Sequence, residues 1–228
     1  MIPRPPTAAP GGPPPWTPRT GITIGDVLDA LGRSGRLIAD GPPVARLGAP
    51  AAASAASAAL PAAPAAVLVA LFEEGGEARV LLTRRSTQLR THRGQVSFPG
   101  GRIDHGEDAV AAAVREAFEE IGLDPAVVRP AGFLAPAFAF SSGDPITAVV
   151  ATLPARPRLV ANPSEVDRVF DVALADLAVH CTVERWSEPG VPAFFMYFFA
   201  VEGETVWGAT ARMLVDLLTA VLGTRGGG

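Results

Sequence analysis

The chain has 228 residues, of which 48% are hydrophobic and 18% are charged, and its formal net charge is -4. This composition is enough for one substantial core, and the negative net charge argues against a general nucleic-acid-binding surface. The single cysteine, Cys181, excludes an intramolecular disulfide and favours a cytoplasmic location.

Residues 1–65 form an extension rich in proline and alanine. Its first 20 residues are proline-rich, and we expect them to be extended or disordered. Residues 23–36 predict a short amphipathic helix, because apolar residues recur at helical spacing after Thr23, a residue suited to the N-cap. A second linker rich in alanine and proline covers roughly residues 48–65.

An uncharged stretch from Leu47 to Phe72 is long enough to span a bilayer. It is mostly alanine interrupted by serine and proline, and it lacks the continuous leucine, isoleucine or phenylalanine content of a membrane span. Residues 1–20 have no apolar segment of the kind that a secretory signal carries. We therefore expect no interaction with a membrane.

The main domain is expected to cover residues 66–224 and to begin with two strands, at 66–72 and 78–84. A basic segment follows, with five basic residues in ten positions: Arg84, Arg85, Arg90, His92 and Arg93. In a chain of negative net charge, this local concentration predicts an anion site, and the planar fork of arginine suits phosphate oxygens. The alternative is a solvated basic turn after a strand.

Residues 95–98 predict a short strand that breaks into a tight loop at Gly100 and Gly101. Glycine at these positions permits unusual dihedral angles and a close approach of the backbone to a phosphate.

Residues 108–121 predict a helix, and Gly122 is expected to end it in the left-handed conformation. At 3.6 residues per turn, one side of this helix carries an apolar stripe of Val110, Val114, Ala117 and Ile121. Three carboxylates are expected to lie largely on the other side: Glu116, Glu119 and Glu120.

These carboxylates repel one another, so a compensating positive charge is expected. One interpretation is a solvated acidic face that Arg115 partly neutralises. The other is a group of hard oxygen ligands for Mg²⁺ or Mn²⁺, which can neutralise a diphosphate and activate a water molecule.

Further strands are predicted at 128–134, 146–153, 166–171, 182–186 and 193–201, and a terminal helix at 210–222. The pattern of strands and helices by itself predicts a mixed α/β domain.

The stretch from Gly101 to Leu123 resembles the 23-residue box of the Nudix family. The matching positions are Gly101, Glu107, Arg115, Glu116, Ala117, Glu119, Glu120, Gly122 and Leu123. The resemblance implies the Nudix fold, an α/β/α sandwich around a mixed β-sheet. It also implies that Glu116, Glu119 and Glu120 hold Mg²⁺ or Mn²⁺. By the same resemblance Arg115 orients these glutamates, and Glu119 is the preferred candidate for the general base, with Glu120 and Arg115 completing the catalytic set.

The segment before the box resembles the signature of the coenzyme A pyrophosphatase subgroup. The matching residues are Leu81, Leu82, Thr83, Arg85, Ser86, Arg90, Gly94, Phe98, Pro99, Gly100 and Gly101. Together with the basic residues, this resemblance implies a substrate-binding set of Arg84, Arg85, Arg90, His92, Gly100 and Gly101. Downstream, Glu165 stands in an Asn-x-x-Glu-Val segment and could supply a distal carboxylate or a base, or lie at a surface strand edge. Trp207 stands in a Trp-Gly-x-Thr-Ala segment and is expected in the core.

The resemblance implies a diphosphatase that cuts coenzyme A or an acyl-CoA into 3′,5′-ADP and 4′-phosphopantetheine or its acyl form. One alternative is a Nudix hydrolase for ADP-ribose, a dinucleotide or a nucleoside triphosphate. Another is a non-catalytic Nudix domain that senses a nucleotide. The expected partner is a small-molecule substrate rather than a nucleic acid or a membrane, and a homodimer is left open.

Overall fold

The computed structural model describes residues 2, 4–37, 64–139, 143–188 and 191–225. Most of the predicted linker at 48–65, and of the uncharged stretch from Leu47, lies outside the described residues. Among the described helices, none has the length and apolar content needed to cross a membrane.

The described residues form four α-helices and twelve strands. The helices are α1 (Ile24–Arg33), α2 (Ala109–Ile121), α3 (Leu174–Val179) and α4 (Gly208–Leu222), with a 3-10 helix at Pro125–Val127. The strands are β1 (Ala9–Pro10), β2 (Ala65–Glu74), β3 (Glu77–Arg85), β4 (Val96–Ser97), β5 (Gly100–Arg102), β6 (Arg129–Phe133), β7 (Ala137–Phe138), β8 (Pro145–Thr152), β9 (Val166–Ala173), β10 (Cys181–Glu188), β11 (Val191–Val201) and β12 (Glu204–Val206). All eight predicted strands and all three predicted helices are present, with ends that differ by a few residues.

The described strands form two sheets. The larger sheet has the order β4-β3-β2-β8-β6, with β5 paired to β2, β7 to β8 and β9 to β3. Strands β2 and β8 run parallel, whereas the other pairs of this sheet are antiparallel, so the sheet is mixed. The smaller sheet has the order β1-β10-β11-β12.

The larger sheet separates two apolar cores, because alternate residues of β2 point to opposite faces. Leu68 and Ala70 pack in one core with helix α2. Val69 and Leu71 pack in the other core, together with residues of α1, α4 and the smaller sheet. Helices therefore lie on both sides of a mixed sheet, which confirms the expected α/β/α architecture.

The N-terminal extension contributes to the second core. Helix α1 begins after Thr23, whose hydroxyl accepts a hydrogen bond from the backbone N–H of Asp26 at 3.2 Å. Trp16 is fully buried, and its Nε1 donates to the carbonyl oxygen of Ala178, 162 positions away along the chain, at 3.0 Å. The composition of residues 1–20 gives no sign of these tertiary contacts, because they depend on residues remote in sequence.

Candidate active site

Helix α2 carries the box and is fixed at both ends. At its start, the side chain of Asp108 accepts a hydrogen bond from the backbone N–H of Ala111 at 2.8 Å. At its end, Gly122 has φ 65° and its N–H donates to the carbonyl oxygen of Phe118 at 2.9 Å. The predicted helix and its left-handed glycine are confirmed, so the three glutamates are held on a rigid element.

Glu120 is buried, whereas the sequence pattern predicts that it lies on the exposed side of α2. Only 2% of its surface is exposed, because position 120 follows the buried Ala113 and Ala117 at seven and three residues and belongs to their stripe. The side chain of Glu116 is 17% exposed and that of Glu119 is 51% exposed. The prediction of a shared outer face is wrong for Glu120.

Two glycines of β5 lie close to these carboxylates. The N–H of Gly100 donates to Oε2 of Glu120 at 3.1 Å. A Cβ atom on Gly100 would collide with the carbonyl oxygen of Ala66, and one on Gly101 would lie 2.5 Å from the carboxylate of Glu116. The paired glycines therefore have a steric function here: they bring strand β5 against β2 and α2.

Arg115 forms hydrogen bonds to several acceptors beside α2. Its Nε and Nη2 each donate to an oxygen of Glu107 at 3.0 Å, and these bonds hold the pKa of Glu107 below its ordinary value. Its Nη1 donates to Glu116 at 2.9 Å and to Glu119 at 3.1 Å. Nη2 also donates to the carbonyl oxygen of Arg102 at 3.1 Å. This geometry supports an orienting role for Arg115.

Burial raises the pKa of Glu120 to about 7. The N–H of Gly100 and the guanidinium of Arg85, whose Nη1 lies 3.4 Å from Oε1, act in the opposite direction. The negative charges of Glu116 and Glu165 raise the pKa further. Glu120 is thus a buried carboxylate that is incompletely neutralised by its protein neighbours.

Glu116 experiences a similar imbalance. Burial raises its pKa, the hydrogen bond from Arg115 lowers it, and the charges of Glu119 and Glu165 raise it again. Charges on α2 and in the segment before β9 therefore both act on Glu116.

Backbone hydrogen bonds bring Glu165 to this region. The N–H of Asn162 donates to the carbonyl oxygen of Glu120 at 2.8 Å, and that of Glu165 donates to Asn162 at 3.0 Å. The N–H of Ser86 donates to the carbonyl oxygen of Glu165 at 2.7 Å. The Asn-x-x-Glu segment is therefore tied both to the end of α2 and to the residue after Arg85.

The donor set fits a hard divalent cation in chemistry and charge. Carboxylate oxygens are the ligands that Mg²⁺ and Mn²⁺ prefer, and a cation would offset the burial, and the smaller repulsion between carboxylates, that raise the pKa values of Glu116 and Glu120. Within the part of the chain that the structure describes, no three His, Cys, Asp or Glu side chains already form a ligand cluster.

A cavity of about 260 Å³ opens beside Gly100 and Gly101. Its lining includes Arg85, His92 and Gln95 as polar groups, and residues 207–210 at the start of α4. Apolar side chains complete the wall: Ala65, Val67, Val96, Phe98, Ala139, Ile146 and Ala209. Trp207, expected in the core, packs partly against Trp186, Met196 and Phe198 and also faces this cavity.

The predicted substrate-binding residues divide into two groups. Four of them line the cavity: Arg85, His92, Gly100 and Gly101. Arg84 and Arg90 do not line it. Arg90 is exposed, whereas Nη1 of Arg84 donates to Glu204 at 3.1 Å. The sequence pattern alone does not identify residues 207–210 as part of the wall, because they lie more than eighty positions after the end of the box.

A family model described as the NUDIX domain matches residues 62–194. Nudix hydrolase 22, chloroplastic, of Arabidopsis thaliana is 40% identical over 164 residues, which cover 68% of this chain and 54% of the relative. The match thus spans about half the length of that relative. Nudix hydrolase 3 of Caenorhabditis elegans is 33% identical over 170 residues, which cover 67% of this chain and 71% of the relative.

Bacterial relatives include an uncharacterized Nudix hydrolase, NudL, of Photorhabdus laumondii, which is 36% identical over 148 residues that cover 62% of this chain and 76% of the relative. Among solved structures, a Nudix hydrolase from M. smegmatis aligns with 51% of this chain and 74% of its own, at 28% identity and a TM-score of 0.42.

Proposed function

This chain belongs to the Nudix domain family, and from that membership we propose that it is a diphosphatase, dependent on Mg²⁺ or Mn²⁺, that hydrolyses coenzyme A or an acyl-CoA. The products are 3′,5′-ADP and 4′-phosphopantetheine or its acyl form. Water attacks one phosphorus atom of the diphosphate, the P–O bond of the anhydride breaks, and each product leaves as a phosphate monoester.

The observation that carries this proposal is the junction between the basic segment and the box. Arg85 lies 3.4 Å from the carboxylate of Glu120, and the N–H of Gly100 donates to the same carboxylate. Arg85 and Gly100 also line the cavity. A diphosphate bound beside Arg85 and Gly100 would lie next to the two residues that contact the carboxylate of Glu120.

The glutamates of α2 and Arg115 have different roles in this proposal. Glu116, Glu119 and Glu120 would hold the divalent ion, and Arg115 keeps Glu116 and Glu119 oriented through the hydrogen bonds from Nη1. The chemistry that such an ion would supply is neutralisation of the diphosphate charge and activation of a water molecule.

Arg85 and His92 bind substrate phosphate oxygens in the cavity, because arginine forms paired charge-assisted hydrogen bonds to such oxygens. Glu119 accepts the proton of the attacking water; its side chain is half-exposed, so water can reach it.

A product-resolved assay tests the proposal. The wild type, Glu120→Gln and Glu73→Gln are incubated with free coenzyme A, an acyl-CoA, ADP-ribose, a dinucleotide and a nucleoside triphosphate, each with Mg²⁺ or Mn²⁺. Glu73 is a matched control, because its carboxylate accepts the N–H of Ile24, outside the candidate site, and glutamine can accept the same bond.

We expect the wild type and Glu73→Gln to release 3′,5′-ADP from coenzyme A with the highest kcat/KM of the panel. Glu120→Gln should lose more than about a hundredfold in that value, because it removes a charged metal ligand. If ADP-ribose, a dinucleotide or a nucleoside triphosphate gave the highest kcat/KM, that compound would replace coenzyme A as the proposed substrate. Binding without any hydrolysis product would refute the enzymatic assignment.

A further inference from the structure

Two adjacent arginines of the basic segment point in opposite directions. Along β3, Val80 and Leu82 face the core that contains α4, whereas Leu81 faces the core that contains α2. Side chains alternate along a strand, so Arg84 points to the same side as Val80 and Leu82, and Arg85 points to the same side as Leu81. The contacts agree, since Arg85 meets Glu120 of α2 and Arg84 meets Glu204 of β12.

Glu204 is the centre of an ion-pair group between the two sheets. Its Oε1 accepts from Nη1 of Arg84 at 3.1 Å and from Nη1 of Arg168 at 3.3 Å. The side chain of Glu204 is only 14% exposed, so these two arginines supply most of its compensating charge. Arg84 belongs to β3 and Arg168 to β9, whereas Glu204 belongs to the smaller sheet.

Glu204 lies just before the far wall of the cavity. Strand β12 ends at Val206, and the next residues, 207–210, line the cavity. A second bond from the larger sheet reaches the same wall, since Oγ1 of Thr210 donates to the carbonyl oxygen of Val96 at 3.2 Å. Strand β12, which precedes residues 207–210, is thus held to the larger sheet through Glu204. Helix α4, which contains residues 208–210, is held to the same sheet through Thr210.

We infer that Arg84 is a positioning residue, which fixes the wall at 207–210 through Glu204 and does not touch the substrate. Substrate binding therefore depends on Arg84 only as long as Glu204 is present. This inference rests on the proposed function, because it assigns the cavity to the substrate.

The competing model is a direct contact between Arg84 and a substrate phosphate. The two models make opposite predictions for a double variant. A direct contact loses the same binding whether or not Glu204 is charged, whereas an effect transmitted through Glu204 disappears once that carboxylate has been removed.

The test compares Arg84→Gln, Arg84→Lys, Glu204→Gln and the double variant Arg84→Gln/Glu204→Gln with the wild type. KM and kcat are measured on the diphosphate that the wild type hydrolyses best. Arg156→Gln is the matched control, because Arg156 forms comparable ion pairs with Glu74 and Asp171, away from the cavity.

We expect Arg84→Gln to raise KM about fivefold with kcat unchanged, the size expected for a partly exposed ion pair. Arg84→Lys should recover most of the lost affinity, because it keeps the charge. Adding Arg84→Gln to Glu204→Gln should change KM by less than about twofold. Additive increases in the double variant, or an unchanged KM in Arg84→Gln, would overturn the inference.

Hydrogen exchange separates this inference from the proposed function. If the wild type hydrolyses no member of the panel, the proposed function is wrong. The exchange rates of the backbone amides of residues 204–211 still test whether Arg84 fixes the cavity wall. Arg84→Gln and Glu204→Gln should both accelerate exchange there, and Arg156→Gln should not. Equal exchange in the wild type and Arg84→Gln would overturn the positioning role, whatever the substrate.

Discussion

Glu120 combines near-complete burial with two neighbouring negative charges, those of Glu116 and Glu165. Its ionisation is therefore linked to folding. The ordinary pKa of the carboxyl group is 4.5, and in the folded chain it is about 7. Because the folded value is the higher one, the stabilising contribution of this group is complete below pH 4.5 and is lost as the pH rises through about 7.

We predict that Glu120→Gln stabilises the metal-free protein more at pH 8.5 than at pH 5. The glutamine resembles the protonated carboxyl group, so only the wild type bears the cost of burying a charge at the higher pH. The difference in unfolding free energy between variant and wild type should grow by on the order of 2 kcal/mol between the two pH values. Urea unfolding in the presence of a chelator measures it. An equal difference at both pH values would contradict the raised pKa.

Gly101→Ala should impair hydrolysis and leave the fold largely intact. The new methyl group would lie 2.5 Å from the carboxylate of Glu116, which must then move. A displacement of about 1 Å in a reacting group can cost roughly a hundredfold in rate, and we expect a loss of kcat of that order. Gly25→Ala is the matched control, because its Cβ meets only Oγ1 of Thr23, at 3.4 Å. Equal kcat in the two variants would mean that Glu116 needs no space at Gly101.

At the scale of elements, helix α2 is the part of the site that local signals determine best. Its N-cap, its end at Gly122 and its length follow from residues within the helix or next to it. The burial of Glu120 also has a periodic signal, since it shares the stripe of Ala113 and Ala117. That signal is easily missed, because a carboxylate is expected to face water unless a partner is known.

We predict that Gly122→Ala lowers the free energy of unfolding by about 1 kcal/mol, because alanine is strained at a left-handed position. The cost should come from the backbone alone, since a Cβ at Gly122 meets its nearest atom, in Val160, at an ordinary 3.4 Å. Gly122→Asn should cost less, because asparagine tolerates this conformation better. Thermal unfolding of the two variants measures the difference, and a larger loss in the asparagine variant would contradict this account.

The contacts of the basic segment follow only in part from local sequence. Its charge predicts an anion site, and four of the six proposed binding residues do line one cavity. The partner of Arg84 could not be predicted, because Glu204 lies 120 positions away and in a different sheet. The place of residues 207–210 in the cavity wall could not be predicted for the same reason, since only the packing of α4 against the larger sheet brings them near Gly100.

At the scale of the whole molecule, the extension and the main domain share a core. Trp16, Ile22 and Leu31 are buried with Val69, Leu71 and residues of α4. Strand β1 adds to the edge of β10, and the N–H of Arg225 donates to Pro15 at 2.7 Å. Proline content predicts the extended backbone of the first residues, but a single tryptophan gives no local sign of where it will be buried.

Trp16→Ala should lower the free energy of unfolding by roughly 3 to 5 kcal/mol, because it removes a large buried side chain. Trp16→Phe should cost less, since it keeps much of the apolar contact and loses the hydrogen bond to Ala178. Phe195→Ala is a control, because that side chain is 53% exposed. Urea unfolding followed by circular dichroism provides the values. Similar losses for Trp16→Ala and Phe195→Ala would show that the extension unfolds independently of the core.

The burial of Trp16, Ile22 and Leu31 also bears on how the chain could be divided. Their contacts with the strands are non-covalent, and covalent linkage of two interacting parts acts by raising the effective concentration of one near the other. Two polypeptides, one ending at Leu37 and the other beginning at Pro64, should therefore reassociate when they are produced together. Fragment complementation of this kind would make the recovery of the folded protein depend on concentration, and Trp16→Ala should shift that dependence to higher concentrations.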